Sequence, residues 1–258
     1  MVGAAYAVRW RTLAHRGRAP GVWRVAAFAA ALLVIVAALC TPLDRLGEEQ
    51  LFSAHMAQHL ALGDVAAALV VLGLTGAVLR PLLGVRLVRP LAVLLRPPLA
   101  LGLWTANLYL WHLPAPYEAA LRHDAVHALQ HVCFLAAGVL LWGAVLELLP
   151  GPAWFTAGVK LGYLGAAQAA QIVLASVFLW SNHVFYETYA SGAPEAGVSP
   201  RTDQALGGAI MLAEATAVMA IAVSWAFLAL LREGERRQVL LEQGASERAA
   251  ARAARYRR

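Results

Sequence analysis

The sequence contains few charged residues, which make up 14% of the chain, while 60% of its residues are hydrophobic. Soluble domains are typically about half apolar and about a quarter charged, so the composition indicates an integral membrane protein. The formal net charge is +6, but the basic residues lie at the ends of apolar runs and not on one polar face, so they do not predict nucleic-acid binding. We therefore expect the lipid bilayer, and no nucleic acid, as a partner.

The sequence also lacks the motifs of several protein classes. Its two cysteines, Cys40 and Cys133, are too few and too far apart for a disulfide framework. No CxxC pair, no P-loop and no GxGxxG in a strand–helix context occurs. The chain therefore gives no sign of a disulfide-stabilised scaffold or of a nucleotide-binding domain.

Six apolar runs are long enough to predict helices that cross a membrane, for which about 20 apolar residues are needed. The third run is short, because Arg96, Pro97 and Pro98 kink or interrupt its start. This leaves open an interfacial helix around residues 85–95, or a seventh or re-entrant helix near residues 85–97. We predict an all-α polytopic bundle of about six transmembrane helices. The six runs are Val22–Cys40, Leu51–Leu79, Pro98–Leu113, Ala125–Leu149, Leu161–Ser181 and Gln204–Leu231.

The distribution of basic residues predicts the orientation of the bundle. With the N-terminus inside, all but three of the 21 lysine and arginine residues lie inside, and the positive-inside rule then places both termini in the cytoplasm. The first run could instead be a signal peptide with Cys40 as a lipidated residue, although Leu39 is a poor cleavage position. The predicted organisation is a basic cytoplasmic segment over residues 1–21, a transmembrane domain over 22–231 and a charged cytoplasmic tail over 232–258.

In this topology seven of the eight histidines fall where predicted spans meet the outer side of the bilayer. Histidine is the commonest metal ligand. Residues four apart share one helical face, with about 5–6 Å between their Cβ atoms, so each of two HxxxH pairs can bring two imidazoles to one ion. His123 is more typical of an interfacial polar residue. We predict a metal site formed by His55, His59, His112, His127, His131 and His183.

Sulfur and carboxylate groups lie near the predicted site. Met56, Met211 and Cys133 offer sulfur, and sulfur together with imidazole suits copper, especially Cu(I). Methionine and cysteine also pack as apolar residues, and the spacing from His131 points Cys133 away from the histidine face. Asp64 and Glu214 fall inside predicted spans, where a carboxyl group must be protonated, paired or in a wet cavity.

Five motifs along the chain together carry a family resemblance. They are His55-Met56-Ala57-Gln58-His59-Leu60, Trp104-Thr105-Ala106-Asn107, Trp111-His112-Leu113-Pro114, His127-Ala128-Leu129-Gln130-His131 and Asp203-Gln204 followed by Gly207-Gly208. In combination they resemble the caa3-type cytochrome c oxidase assembly factor family, called CtaG. The resemblance covers roughly residues 51–227, and it implies a multi-pass protein of the bacterial plasma membrane that matures a haem–copper oxidase and has an oxidase subunit as its partner. Members of the family often have glutamate where this chain has Gln130, and often carry a seventh span.

The leading interpretation is a non-enzymatic assembly factor that binds copper through histidines at the outer face and passes it to an oxidase subunit. One alternative is a haem-binding redox or haem-handling protein, in which paired histidines bracket one porphyrin. Another is a metal or proton transporter with Asp64 and Glu214 as relay sites, although polar groups thin out toward the cytoplasmic halves of the spans. A scaffold whose histidines only form hydrogen bonds is the third alternative.

Overall fold

The computed structural model describes residues 2–84 and 89–256, and the regular elements within these ranges are all helices. Five of them are long and apolar enough to cross a membrane, which agrees with the predicted all-α polytopic bundle. The first half of the chain forms α1 (Val2–Ala14), α2 (Val22–Cys40), α3 (Pro42–Glu49), α4 (Phe52–Leu60), a π-helical stretch (Ala61–Ala66), α5 (Ala67–Gly73), α6 (Gly76–Leu83) and a 3₁₀ helix (Arg89–Leu95). The second half forms α7 (Pro97–Trp111), α8 (Pro114–Arg122), α9 (Asp124–Val145), α10 (Ala157–Trp180), α11 (Glu187–Glu195), α12 (Pro200–Glu242) and α13 (Glu247–Tyr256).

The second predicted span is shorter in the structure than in the sequence analysis. Its helix runs without a break from Phe52 to Gly73, and Leu74 then takes an extended conformation, so that α6 is a separate helix. The sixth predicted span is longer, because α12 has 43 residues and continues past Leu231 to Glu242. The hydrophobic pattern therefore located both helices but not their ends.

The third predicted span is the short helix α7 of 15 residues, or about 22 Å at a rise of about 1.5 Å per residue. A hydrocarbon core is about 30 Å thick, so α7 alone does not cover it. The 3₁₀ helix Arg89–Leu95 occupies most of the predicted interfacial helix around residues 85–95. The other part of that prediction, residues 85–88, lies outside the described residues.

Proline and hydroxyl side chains mark the starts of the helices around the histidines. Helices α3, α7, α8 and α12 each have proline in the first turn, where its fixed φ suits a helix and its missing N–H costs nothing. Thr156 caps α10 by accepting from the backbone N–H of Val159, and Ser199 caps α12 by accepting from that of Thr202. These signals produce short connections, so successive helices return to the same ends of the bundle.

Two glycines bring the second and fourth predicted spans into close contact. Gly138 of α9 lies so near the carbonyl oxygen of Gly63 that a Cβ atom at position 138 would overlap it. Small residues at such crossings let the backbones of membrane helices approach closely. The crossing holds α9 beside the helix that begins at Phe52, and so it places the two HxxxH pairs side by side.

Candidate metal centre

Four imidazoles meet at one end of the bundle, where α4 and α9 both begin. Helix α4 contributes His55 and His59, and α9 contributes His127 and His131; one ring nitrogen from each lies within 4.8 Å of the other three. Each of the four side chains is at most 8% exposed. Metal–imidazole bonds are about 2.0–2.1 Å long, so the nitrogens of a tetrahedral site lie about 3.3–3.4 Å apart. The four imidazoles, called the histidine cluster below, therefore fit one metal ion after a small contraction.

The surroundings of His55 fix which of its nitrogens is free for a ligand. Its Nδ1 lies 2.9 Å from the Tyr189 hydroxyl and 3.2 Å from the Gly47 carbonyl oxygen. A carbonyl oxygen only accepts, so Nδ1 carries the hydrogen and Nε2 keeps its lone pair. The Tyr189 hydroxyl in turn donates to the Gly47 carbonyl at 2.6 Å. Burial raises the pKa of this hydroxyl well above its ordinary value, so Tyr189 stays protonated and keeps donating.

His127 is oriented in the same way by an acidic side chain. Its Nδ1 lies 2.9 Å from Oε1 of Glu48, at the end of α3. A carboxylate accepts, so Nδ1–H donates and Nε2 keeps a lone pair, which has no hydrogen-bond partner among the described residues. Nε2 of His131 is likewise buried without a partner there. An imidazole whose second nitrogen donates to a carboxylate is the usual arrangement of a metal-binding histidine.

Among the described residues, His59 makes one close polar contact, and it lies inside the histidine cluster. Its Nε2 lies 2.7 Å from Nε2 of His55. Because that atom of His55 has a lone pair, Nε2–H of His59 donates to it, and Nδ1 of His59 is left with a lone pair. This Nδ1 is buried and has no partner among the residues described. His59 also stacks on the ring of Phe134, with 4.3 Å between the ring centroids.

The structure separates the other two predicted ligands. His112 follows the last residue of α7 and lies beside the histidine cluster, with 6.4 Å between the centroids of its ring and that of His59. Its Nδ1–H donates to the Leu108 carbonyl at 2.6 Å. Its Nε2 is buried and has no hydrogen-bond partner among the described residues. His183 is exposed, and its ring packs on Phe185. Four of the six predicted ligands thus meet, His112 adjoins them, and His183 lies apart.

The two residues that the sequence analysis set aside lie outside the histidine cluster. His123 is exposed and precedes the first residue of α9. Cys133 is a free, half-buried cysteine, and it is not among the side chains that converge on the cluster. The geometry therefore agrees with treating His123 as a surface residue and Cys133 as a packing residue.

Sequence reasoning missed the residue that holds the start of α4. Asp203 of α12 is 1% exposed, and its carboxylate accepts hydrogen bonds from the backbone N–H groups of Phe52 and Ser53 at 2.7 and 3.1 Å. It also accepts from the Ser53 hydroxyl at 2.5 Å. A carboxylate at a helix N-terminus satisfies free N–H groups and complements the helix dipole. Asp203 therefore fixes the turn that carries His55.

Sequence reasoning also missed the contacts of α3. The acidic residue Glu48 was not among the predicted site residues, yet it orients His127. Gly47 lies so close to α4 that a Cβ atom there would be 2.9 Å from the backbone nitrogen of His55. The only signal in the sequence is a glycine–acid pair in a short helix directly before the first HxxxH motif.

An aromatic layer covers the histidine cluster at the end of the bundle. The rings of Tyr117 and Tyr186 stack with 3.8 Å between centroids, and the Tyr186 hydroxyl donates to the His112 carbonyl at 2.8 Å. Burial raises the pKa of both Tyr117 and Tyr186, which keeps them neutral. The layer excludes water without adding charge, so it strengthens any electrostatic interaction made by the imidazoles.

Replacing Glu48 with alanine is expected to weaken the affinity for copper, the metal predicted from the sequence, about 10–100-fold, the usual cost of losing a hydrogen-bond acceptor behind a metal ligand. The change leaves all four imidazoles in place but frees the His127 ring to rotate. Glu48→Gln should lose less, because the amide oxygen still accepts from Nδ1–H. A competition titration with a chromophoric chelator measures the affinity.

Glu49→Ala is the matched control for Glu48→Ala, because Glu49 is the next residue and pairs with the exposed Arg45. We expect it to bind copper as the unchanged protein does. Equal losses of copper affinity in Glu48→Ala and Glu49→Ala would contradict an orienting role for Glu48. They would show that only the negative charge of this segment matters.

Comparison with known proteins identifies the chain at the level of a family. A family model described as cytochrome c oxidase caa3 assembly factor (Caa3_CtaG) matches residues 4–233. These residues include both HxxxH pairs, His112, Glu48 and Asp203. No curated protein and no solved structure matches the chain.

Proposed function

Because the chain belongs to the cytochrome c oxidase caa3 assembly factor family, we propose that it binds copper in the histidine cluster and passes it to a subunit of the oxidase. The observation that carries the proposal is the convergence of four buried imidazoles from two HxxxH pairs. The proposed location is the bacterial plasma membrane, with the histidine cluster at its outer face. No catalytic step is needed, since the ion is cargo.

The hydrogen bonds around the histidine cluster support metal binding over a purely scaffolding role. Imidazoles that only hold a fold together donate and accept through both nitrogens when they are buried, because unpaired buried polar atoms are costly. Here Nε2 of His127 and Nε2 of His131 have no partner among the described residues. Lone pairs on such atoms are what a metal ion requires.

The packing of the rings supports an ion over a haem. The ring centroids of His55 and His127 are 5.2 Å apart, and those of His127 and His131 are 4.2 Å apart. Two axial ligands of a haem lie on opposite faces of a wide porphyrin, and rings already in contact leave no room for one. Copper accepts imidazole ligands readily and therefore fits this donor set better.

The residues beyond Asp64 give little support to transport through the bundle. The same helices continue with Ala67 and Val71 on α5 and with Leu141 and Val145 on α9, all at most 2% exposed. These side chains belong to one apolar core. An ion or proton that crossed the bundle here would meet no charged side chain on α5 or on the part of α9 from Leu135 to Val145, whereas delivery requires only an opening at the histidine end.

The exposed edge of the histidine cluster indicates where transfer begins. His127 is 7% exposed on its side chain, and its partner Glu48 is 31% exposed. We expect the acceptor subunit to approach this edge and replace the imidazoles one at a time by ligand exchange, starting with His127. The buried His55 and His59 would release the ion last.

The proposal is tested in a bacterium that lacks this chain and carries a caa3 oxidase. We expect the unchanged chain to restore oxidase activity and the copper content of the purified oxidase, and the double variant His127→Ala/His131→Ala to restore neither. His123→Ala is the matched control on the same helix. Fully copper-loaded oxidase in cells with the double variant would refute copper delivery. An immunoblot of the membrane fraction checks that the double variant and His123→Ala accumulate to the same level as the unchanged chain.

A further inference from the structure

A small cavity adjoins the histidine cluster on the side of Asp64. It has a volume of about 20 Å³, and His59 is part of its wall. A cavity of about 10–15 Å³ on this measure already holds one water molecule, so one water-sized particle or ion fits. The wall also contains His112, Met56, Met211 and Asp64.

Buried polar atoms without partners are concentrated around this cavity. Among the described residues, Nδ1 of His59, Nε2 of His112, Oδ1 of Asp64 and Oε1 of Gln171 are buried and make no hydrogen bond, and all four side chains line the cavity. Native proteins leave few buried polar atoms unpaired, and each such atom calls for a partner such as water or an ion. Four such atoms around one cavity indicate that a water molecule or an ion binds there.

The donors of the cavity wall are softer than those of the histidine cluster. Nδ1 of His112 is occupied by the Leu108 carbonyl, so His112 offers its Nε2 lone pair. Met56 and Met211 are each 1% exposed and add two thioethers. Thioethers with imidazoles favour Cu(I) over magnesium and calcium.

We propose that this cavity is a second metal site, which takes Cu(I) through His59, His112, Met56 and Met211. The identity of the metal rests on the proposed function, whereas the site itself rests on the cavity and its unpaired donors. His59 lies between the two sites, because its Nε2 faces His55 and its Nδ1 has no partner among the described residues. A neutral imidazole has one lone pair, so His59 binds an ion in one site at a time. When both sites hold copper, His59 binds in the cavity through Nδ1, and the other three imidazoles hold the ion of the histidine cluster. An ion can pass between the sites by exchanging ligands at His59, and it stays Cu(I) throughout, so no electron transfer is required.

The π-helical stretch explains how Asp64 reaches the same cavity as His59. Residues five apart in an α-helix point about 140° apart, so His59 and Asp64 would face different neighbours. The stretch Ala61–Ala66 has hydrogen bonds of the i to i+5 type, which change the phase of the helix and let residues five apart share a face. Such stretches are frequent at functional sites. The carboxyl group of Asp64 thereby adds an oxygen next to the soft donors.

Anaerobic titration of the detergent-purified full chain with Cu(I) tests the proposal. We expect two copper ions per chain and an X-ray absorption spectrum with sulfur among the copper ligands. Met56→Leu/Met211→Leu conserves side-chain volume and should bind one copper ion with no sulfur ligand. Met219→Leu is the matched control, since Met219 is a buried residue of the same helix as Met211 and lies outside the cavity wall.

The outcomes separate this proposal from the proposed function. One copper ion per unchanged chain, with no sulfur ligand and with loss of binding only in His127→Ala/His131→Ala, would overturn the second site and leave the histidine cluster in place. A different outcome is that copper has sulfur ligands and that His127→Ala/His131→Ala binds as much copper as the unchanged chain. That outcome would support the second site and overturn the histidine cluster as a copper site. Loss of sulfur ligands in Met219→Leu would overturn the assignment of Met56 and Met211.

Discussion

Copper binding at the histidine cluster is expected to weaken by more than about 100-fold when His127 is replaced by alanine, because the change removes a ligand and not only a supporting hydrogen bond, whose loss costs about 10–100-fold. The change also removes the imidazole to which Glu48 is hydrogen-bonded. Affinity is measured by chelator competition in the Met56→Leu/Met211→Leu background, so that the second site does not contribute.

Two histidines at the same end of the bundle serve as controls for His127→Ala. His123 lies four residues earlier and is exposed, and His183 follows α10 and is exposed. Both single alanine variants should keep the affinity of the parent protein. A loss in His183→Ala as large as that in His127→Ala would support the ligand set predicted from the sequence and contradict a site confined to α4 and α9.

Helical spacing predicted part of the candidate site because the relevant geometry is local. Residues four apart share a face in any α-helix, so the pairs His55/His59 and His127/His131 could be found without a structure. That the two pairs meet depends on the crossing of Gly138 and Gly63, which lie 75 positions apart. The spacing of residues along the sequence does not predict a contact between two such distant positions.

The different placements of His112 and His183 show where local prediction stops. Both residues lie at the outer end of a predicted span, His112 directly after a tryptophan and His183 three positions after one. His112 retains helical backbone angles at the end of α7, and its carbonyl accepts from Tyr186, which holds the ring in the bundle. The chain at Ser181 has already become extended, so His183 turns outward. One or two backbone angles decide between a buried and an exposed imidazole.

Glu48 and Asp203 were not predicted for the same physical reason. Each acts across 79 or more positions, through His127 and through Phe52 and Ser53. An acidic residue in a predicted loop is most often solvated, and no periodicity separates the exceptions. The fold class, by contrast, followed from composition and run length alone, because each membrane helix must satisfy its own backbone hydrogen bonds.

Replacing Asp203 with alanine is expected to lower the free energy of unfolding by about 4.5–9 kcal/mol, since three hydrogen bonds to a buried carboxylate are lost and each contributes about 1.5–3 kcal/mol. The backbone N–H groups of Phe52 and Ser53 would be left unpaired at a buried helix end. The first turn of α4, which ends at His55, should then fray. Copper affinity should therefore fall as well, although Asp203 is not a ligand of the histidine cluster.

Reversible unfolding in mixed detergent and hydrogen exchange at the amides of Phe52 and Ser53 measure the two effects of Asp203→Ala. Asp203→Asn should lose less stability, because one carbonyl oxygen still accepts while the amide group opposes an N–H donor. Asp124→Ala is the matched control: Asp124 is an exposed acidic residue in the first turn of α9, where only the helix dipole, about 0.3–1 kcal/mol, is lost. If Asp203→Ala costs no more than Asp124→Ala and leaves the Phe52 amide protected, the carboxylate does not hold α4, and the position of His55 must depend on Gly47 and Tyr189 alone.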